Sequence, residues 1–115
     1  MGRLTTHILD TAHGCPAAGV DIRLFALGER RQLRARAVSN VDGRTDKPLL
    51  DDEAMKTGTY ELEFDIGDYF RAGDAPVAEP AFLDTVVIRF SIMADEHYHV
   101  PLLVSPWSYS TYRGS

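Results

Sequence analysis

Thr57-Gly58-Thr59-Tyr60-Glu61-Leu62-Glu63-Phe64-Asp65-Ile66 is the most regularly patterned stretch of the chain. From Tyr60 onward, apolar side chains occupy every second position and acidic residues stand between them. Successive side chains of a β-strand point to opposite faces of a sheet. The alternation therefore predicts a strand with one face on a core and the other in solvent.

The same alternation recurs on both sides of this stretch. The other predicted strands cover residues 5–9, 20–27, 32–40, 85–93, 97–105 and 107–112. A weak pattern over 45–55 leaves room for a short edge strand, and loops are predicted over 10–19 and 74–80. About eight short strands with turn signals between them are typical of an all-β, antiparallel β-sandwich. We expect a single domain over residues 1–115.

Four local details sharpen this prediction. Thr5 and His7 should share one face of the first strand, and Leu33, Ala35 and Ala37 one face of the third. One short helix should begin at Asp68, as its N-cap, and end at Gly73. Pro101 lies inside a predicted strand although it has no N–H for a sheet ladder. It should therefore occupy an unpaired position, a bulge or an edge.

Composition excludes several classes of function. The chain has 115 residues and a net charge of −5, which argues against nucleic acid or an anionic membrane as partner. No apolar run reaches the roughly 20 residues of a membrane span, and the N-terminus does not resemble an export signal. The single Cys15 predicts no internal disulfide and favours a reducing compartment. We expect a cytoplasmic protein.

The C-terminal stretch 97–115 is unusually rich in reactive side chains. It holds two histidines, an arginine and five Ser or Thr residues. A chain terminus is normally frayed, so this composition predicts a terminus that is held in place and lines a site. The exposed aromatics expected on the last strand, Trp107, Tyr109 and Tyr112, predict that a second subunit covers that edge.

Five residues have complementary chemical roles. A neutral imidazole of His7 or His99 can take a proton from water near neutral pH. The guanidinium of Arg44 can hold carbonyl oxygens that become negatively charged. The hydroxyls of Tyr112 and Ser115 can orient a bound ring. Together they favour a hydrolase, if the fold brings them to one place.

Other interpretations of the same residues remain open. His97 and His99 could bind zinc with His7 or His13, although no suitable carboxylate or cysteine lies nearby in the sequence. Otherwise His13 is a solvated loop residue and His97 a surface residue at a strand end. Cys15 is expected to be a small packed loop residue, because nothing nearby would lower its pKa. No serine lies in a G-x-S-x-G turn, and the arginines of 30–36 are expected to form a solvated strand face.

The two ends of the chain resemble the transthyretin-like proteins. The resemblance rests on Thr6-His7-Ile8-Leu9-Asp10 with Gly14-Cys15-Pro16-Ala17, and on 105–115 at the other end. The terminal Tyr112-Arg113-Gly114-Ser115 resembles the mark of the family's enzymatic branch, the 5-hydroxyisourate hydrolases. The hormone-carrying transthyretins lack that tetrapeptide. Trp107 departs from the family pattern, where smaller aromatics are more usual.

The resemblance implies a fold, an assembly and a reaction. It implies a two-sheet sandwich and a homotetramer with active sites at the dimer–dimer interface. The implied reaction is hydrolysis of 5-hydroxyisourate in urate breakdown, with the small-molecule substrate as partner and with neither cofactor nor metal. The implied catalytic residues are His7, Arg44, His99 and Ser115, and the implied substrate-binding residues are His7, Arg44, Tyr112, Arg113, Gly114 and Ser115. A non-catalytic binding protein of the same fold and a metal-dependent hydrolase are the alternatives.

Overall fold

The protein is described here by a computed structural model that covers residues 2–74 and 77–114. Its strands are β1 (Arg3–Asp10), β2 (Cys15–Pro16), β3 (Asp21–Leu27), β4 (Arg31–Val38), β5 (Leu50–Asp51), β6 (Gly58–Asp65), β7 (Thr85–Ile92), β8 (Tyr98–Val104) and β9 (Tyr109–Thr111). One α-helix, α1 (Ile66–Ala72), and one 3₁₀ turn, Asp52–Ala54, complete the described elements.

The strands form two sheets. One sheet has the order β2-β1-β8-β9, with β5 also paired to β1, and the other has the order β4-β3-β6-β7. The predicted all-β sandwich with one short helix is confirmed. It differs from a purely antiparallel arrangement at one place, because β1 and β8 run parallel.

The core fills the space between the two sheets. Buried side chains alternate along each long strand, as on β6, where Tyr60, Leu62 and Phe64 are all buried. On β1 the same alternation buries Leu4, Thr6 and Ile8 and leaves Thr5 and His7 half-buried on the other face. Each sheet therefore has one face on the core and one face toward solvent. Among the described residues, no helix is long and apolar enough to cross a membrane.

Two local predictions were wrong. A register shift between Leu24 and Phe25 places Leu33 opposite Phe25, on the outer face, and Leu33 is 55% exposed. A bulge adds one residue to a strand and so reverses the side-chain alternation beyond it. The helix also starts earlier than predicted, with Asp65 rather than Asp68 at its N-cap, although Gly73 does end it.

Pro101 lies in β8, a central strand, and is paired on one side only. It pairs with His7 of β1, but toward β9 the ladder is interrupted between the Leu102–Thr111 and His99–Gly114 pairs. The side-chain hydroxyl of Thr111 donates to the carbonyl oxygen of Pro101 at 2.7 Å. The predicted unpaired position is therefore found only on the side that faces β9.

The arginines of 30–36 lie on an exposed strand, as predicted. Arg31 donates to a carboxylate oxygen of Glu63 at 2.6 Å, and its guanidinium stacks 3.5 Å from the centre of the Phe25 ring. These contacts stabilise the outer face of the sheet.

Candidate active site

The parallel pairing of β1 and β8 places two predicted site residues side by side. Thr5 pairs with His99, and His7 pairs with Pro101, two residues further along both strands. Leu4 and Tyr98, the residues just before, are buried in the core, so Thr5, His7 and His99 lie on the outer face of the sheet. His7 and His99, called here the histidine pair, are both half-buried.

A tight turn brings Arg44 to the same face. Asn40 closes this turn: its backbone N–H donates to the carbonyl oxygen of Arg44 at 2.8 Å, and its side-chain oxygen accepts from Asp42 N–H at 2.9 Å. The turn docks on β1, because Ile8 N–H donates to the Gly43 carbonyl oxygen at 2.8 Å. Arg44 then forms an antiparallel bridge with His7.

Gly43 is required at this turn for two reasons. Its φ of 74° lies in the left-handed region, which side chains with a Cβ rarely adopt. A Cβ at this position would also collide with the backbone oxygen of Ile8. The Asp42-Gly43 pair noted in the sequence therefore sets the approach of Arg44 to the histidine pair.

The C-terminal residues close the other side of His99. The Gly114 N–H donates to the His99 carbonyl oxygen at 2.7 Å. A Cβ at Gly114 would lie 2.9 Å from Cδ2 of the His99 ring, so only glycine allows this approach. The predicted tethering of the terminus is confirmed as far as Gly114; Ser115 lies outside the described residues.

Burial and charge both favour neutral imidazoles. The pKa of His7 is lowered from its ordinary value first by burial and then by the positive charge of Arg44, against a smaller opposing effect of Asp42. The pKa of His99 is lowered by burial first, then by Arg44, His7 and His97. An unprotonated imidazole can accept a proton from water, so the histidine pair suits general base catalysis.

Comparison with known proteins assigns the family. Residues 4–114 match the HIUase/Transthyretin family. The chain belongs to this family.

Individual members of the HIUase/Transthyretin family are similar over the full chain. The 5-hydroxyisourate hydrolase of Pseudomonas aeruginosa is 57% identical over all of this chain and 93% of its own length. The crystal structure of an (S)-allantoin synthase has a TM-score of 0.94 and 47% identity over 99% of this chain, which spans 44% of that protein. The structure of the Klebsiella pneumoniae 5-hydroxyisourate hydrolase has a TM-score of 0.82 and 35% identity, with complete coverage of both chains.

A groove lies between β1, β8 and the Arg44 turn. It measures about 430 Å³. Its lining residues are Arg3, Thr5, Thr6, Arg44, Thr45, His97 and His99. Sequence reasoning did not assign Thr5 or His97 to this site, although the alternation had placed Thr5 on the same strand face as His7. That shared face was the signal from which Thr5 could have been found.

Two residues of the terminal tetrapeptide lie elsewhere in this single chain. Tyr112 is 61% exposed and lines, with Arg113, a separate groove at the edge of the sandwich between β7 and β8. The Arg113 guanidinium lies 4.1 Å from the centre of the Tyr98 ring and donates to a carboxylate oxygen of Glu96 at 2.7 Å. One chain alone therefore does not bring Tyr112 to the histidine pair.

Several alternative roles can be compared with the structure. Among the described residues, no group of three or more His, Cys, Asp or Glu side chains is arranged to hold a metal ion. His97 is exposed just before β8, as predicted. The two remaining predictions were wrong. Cys15 is exposed rather than packed, in the two-residue strand β2, and His13 is not simply solvated.

His13 contacts two carboxylates. Its Nδ1 lies 2.7 Å from Oδ2 of Asp10, and its Nε2 lies 2.9 Å from Oδ1 of Asp74. The Asp10 side chain is fully buried and also accepts a hydrogen bond from the Tyr69 hydroxyl at 2.7 Å. These hydrogen bonds raise the pKa of His13 and join the β1–β2 turn to the end of α1. Because His13 lies in the turn after β1, we interpret this cluster as structural.

Proposed function

We propose that the chain hydrolyses 5-hydroxyisourate to 2-oxo-4-hydroxy-4-carboxy-5-ureidoimidazoline, a step of urate breakdown. The observation that carries the proposal is the convergence of His7, Arg44 and His99 on one outer face. Two imidazoles with lowered pKa values and one permanent cation are what water activation at a carbonyl requires. The 57% identity to a hydrolase of that name supports the choice of substrate.

The proposed chemistry is amide hydrolysis without a covalent enzyme intermediate. The histidine pair takes a proton from water, and the water oxygen bonds to the ring acyl carbon. Arg44 stabilises the oxyanion that forms on this carbon, since a guanidinium is always charged and offers several donors. The acyl–nitrogen bond then breaks, the proton is passed to the leaving ring nitrogen, and the acyl carbon becomes the new carboxylate.

The terminal tetrapeptide is proposed to bind the substrate. Gly114 packs against His99, which supports a role for 112–115 at the groove. Tyr112 lies outside the groove of its own chain. Its contact with substrate therefore requires that a second subunit complete the site.

An oligomer is accordingly part of the proposal. We infer a homotetramer with active sites between dimers, located in the cytoplasm. The described edge strands β7 and β9 lie at the ends of their sheets, and β9 is exposed along its length. Trp107, Tyr109 and Tyr112 are all exposed there, which is more aromatic surface than a free edge normally carries. Light scattering across a concentration series would measure the mass.

The function is tested with 5-hydroxyisourate generated by uricase, whose decay is followed by absorbance. His7→Ala and His99→Ala should each lower kcat by roughly 10²–10⁴, the span for a lost acid–base group. His13→Asn is the matched control, because it changes a histidine outside the histidine pair, and it should retain kcat.

Decay at the wild-type rate in both His7→Ala and His99→Ala would overturn the mechanism. Stoichiometric binding of the substrate by the wild-type protein without faster decay would instead indicate a binding protein.

A further inference from the structure

One hydroxyl group lies between two histidines of the groove. Oγ1 of Thr5 is 2.8 Å from Nδ1 of His99 and 3.1 Å from Nε2 of His97. Thr5 and His99 are also register partners in the β1–β8 pair, so the backbone fixes this contact. The three side chains form a bridge, His97–Thr5–His99.

The bridge has three possible arrangements when both imidazoles are neutral. A hydroxyl has one hydrogen and two lone pairs, so Thr5 can donate to His99, donate to His97, or accept from both rings. If Thr5 donates to His99, then the proton of His99 is on Nε2. In the other two arrangements His99 carries its proton on Nδ1, and its Nε2 is a free base.

The arrangements differ in what His99 can do. Nδ1 of His99 is occupied by Thr5, so only Nε2 is left to act on water. The Gly114 backbone passes close to Cδ2, the ring atom next to Nε2. The direction of the Thr5 hydrogen bond therefore decides whether Nε2 of His99 accepts a proton or donates one.

We propose that Thr5, together with His97, is a positioning residue that holds the proton of His99 on Nδ1 and so keeps Nε2 available as the base. The proposal rests on the hydrolase function above. It extends that function to Thr5 and His97, which act through His99 rather than on the reacting atoms.

The charges around His99 do not decide which of its ring nitrogens carries the proton. Arg3 and Arg44 line the same groove, and His7 and His97 also act on His99, all of them cationic or neutral. Arg113 is neutralised by its ion pair with Glu96. These groups discourage a second proton on His99 but do not choose between its two nitrogens. The choice depends on hydrogen bonding, and Thr5 is the partner of Nδ1.

The first test compares Thr5→Val with Thr5→Ser. Val keeps the shape and removes the hydroxyl, so kcat should fall about 10- to 100-fold with little change in KM, the usual effect of losing an orienting hydrogen bond. Ser restores the hydroxyl and should recover most of kcat. Thr59→Val, on the outer face of the other sheet, is the matched control and should behave as wild type.

The second test reads the tautomer directly, without substrate. Long-range ¹H–¹⁵N correlation spectra of the wild type should show the His99 proton on Nδ1, and Thr5→Val should show a mixture. In His97→Gln the amide oxygen can still accept from Thr5, so the His99 proton should stay on Nδ1.

The outcomes separate the two proposals. A wild-type His99 protonated on Nε2 near neutral pH, or equal kcat in Thr5→Val and wild type, would overturn the bridge. A wild-type chain that does not accelerate 5-hydroxyisourate decay would overturn the function instead, while the spectra would still report the tautomer.

Discussion

Substitution of Gly43 by alanine should separate backbone strain from the docking of the Arg44 turn. The φ of 74° costs an L-residue about 1–2 kcal/mol. The new Cβ would also collide with the Ile8 carbonyl oxygen, and Pro16 Cβ lies only 3.2 Å from its position. Relieving that collision moves the turn off β1 and weakens the Ile8–Gly43 hydrogen bond, a further ~0.5–1.5 kcal/mol. The total loss should be about 2–3 kcal/mol.

Gly14→Ala is the matched control. Gly14 has a similar φ of 67°, but no heavy atom lies within 4 Å of a Cβ built there. It should lose only the strain, about 1–2 kcal/mol. The difference between the two variants isolates the cost of displacing the turn. Urea unfolding followed by far-UV circular dichroism, at one protein concentration for both variants, measures it.

Activity provides the second measurement. Arg44 follows Gly43 directly, so a displaced turn moves the guanidinium relative to the histidine pair. We expect kcat/KM of Gly43→Ala to fall at least about tenfold, since misplacement by about 1 Å can cost 10²-fold. Gly14→Ala should retain kcat/KM. Equal losses of stability in both variants, or a fully active Gly43→Ala, would refute this account of the turn.

Two further predictions concern groups with perturbed environments. Tyr69→Phe removes a donor from the buried carboxylate of Asp10 and should cost about 1.5–3 kcal/mol in urea unfolding, whereas Tyr60→Phe, which removes a donor from the neutral Lys56 carbonyl, should cost about 0.5–1.5 kcal/mol. Equal effects would show that the carboxylate does not need this donor. The lowered pKa values of the histidine pair place the acidic limb of kcat/KM below about pH 6.5, the ordinary value. Arg44→Gln removes a cause of both shifts and should move this limb to higher pH, whereas Arg44→Lys, which keeps the charge, should leave it in place.

The strand pattern could be predicted because burial on one face imposes a period of two. This period located the long strands and put Thr5 and His7 on one face. It failed at Leu33, because a bulge inserts one extra residue into the strand, and the sequence pattern does not show where this happens. It also gave no sign that β1 and β8 pair in parallel, since the alternation of a strand is independent of its neighbour's direction.

The partners of the polar residues could not be predicted in the same way. His13 was interpreted from its Gly- and Pro-containing neighbourhood, yet its second contact, Asp74, lies 61 residues away in the chain. The bridge from His97 through Thr5 to His99 likewise depends on a pairing between the two ends of the chain. Local sequence carries no information on such contacts until the sheet order is known.

The register of β1 against β8 joins the stability of the fold to the proposed chemistry. Side chains alternate with a period of two, so a slip of β1 by one residue would turn His7 toward the core and expose Leu4 and Ile8. Exposing a buried aliphatic side chain costs about 1.5–3 kcal/mol each, far more than any contact made by the histidines on the open face. The Thr6 hydroxyl, which donates to the Val100 carbonyl oxygen at 2.7 Å in the buried layer, adds to the same preference. The core therefore sets the spacing of the groove residues, and those residues remain free to be selected for catalysis rather than for stability.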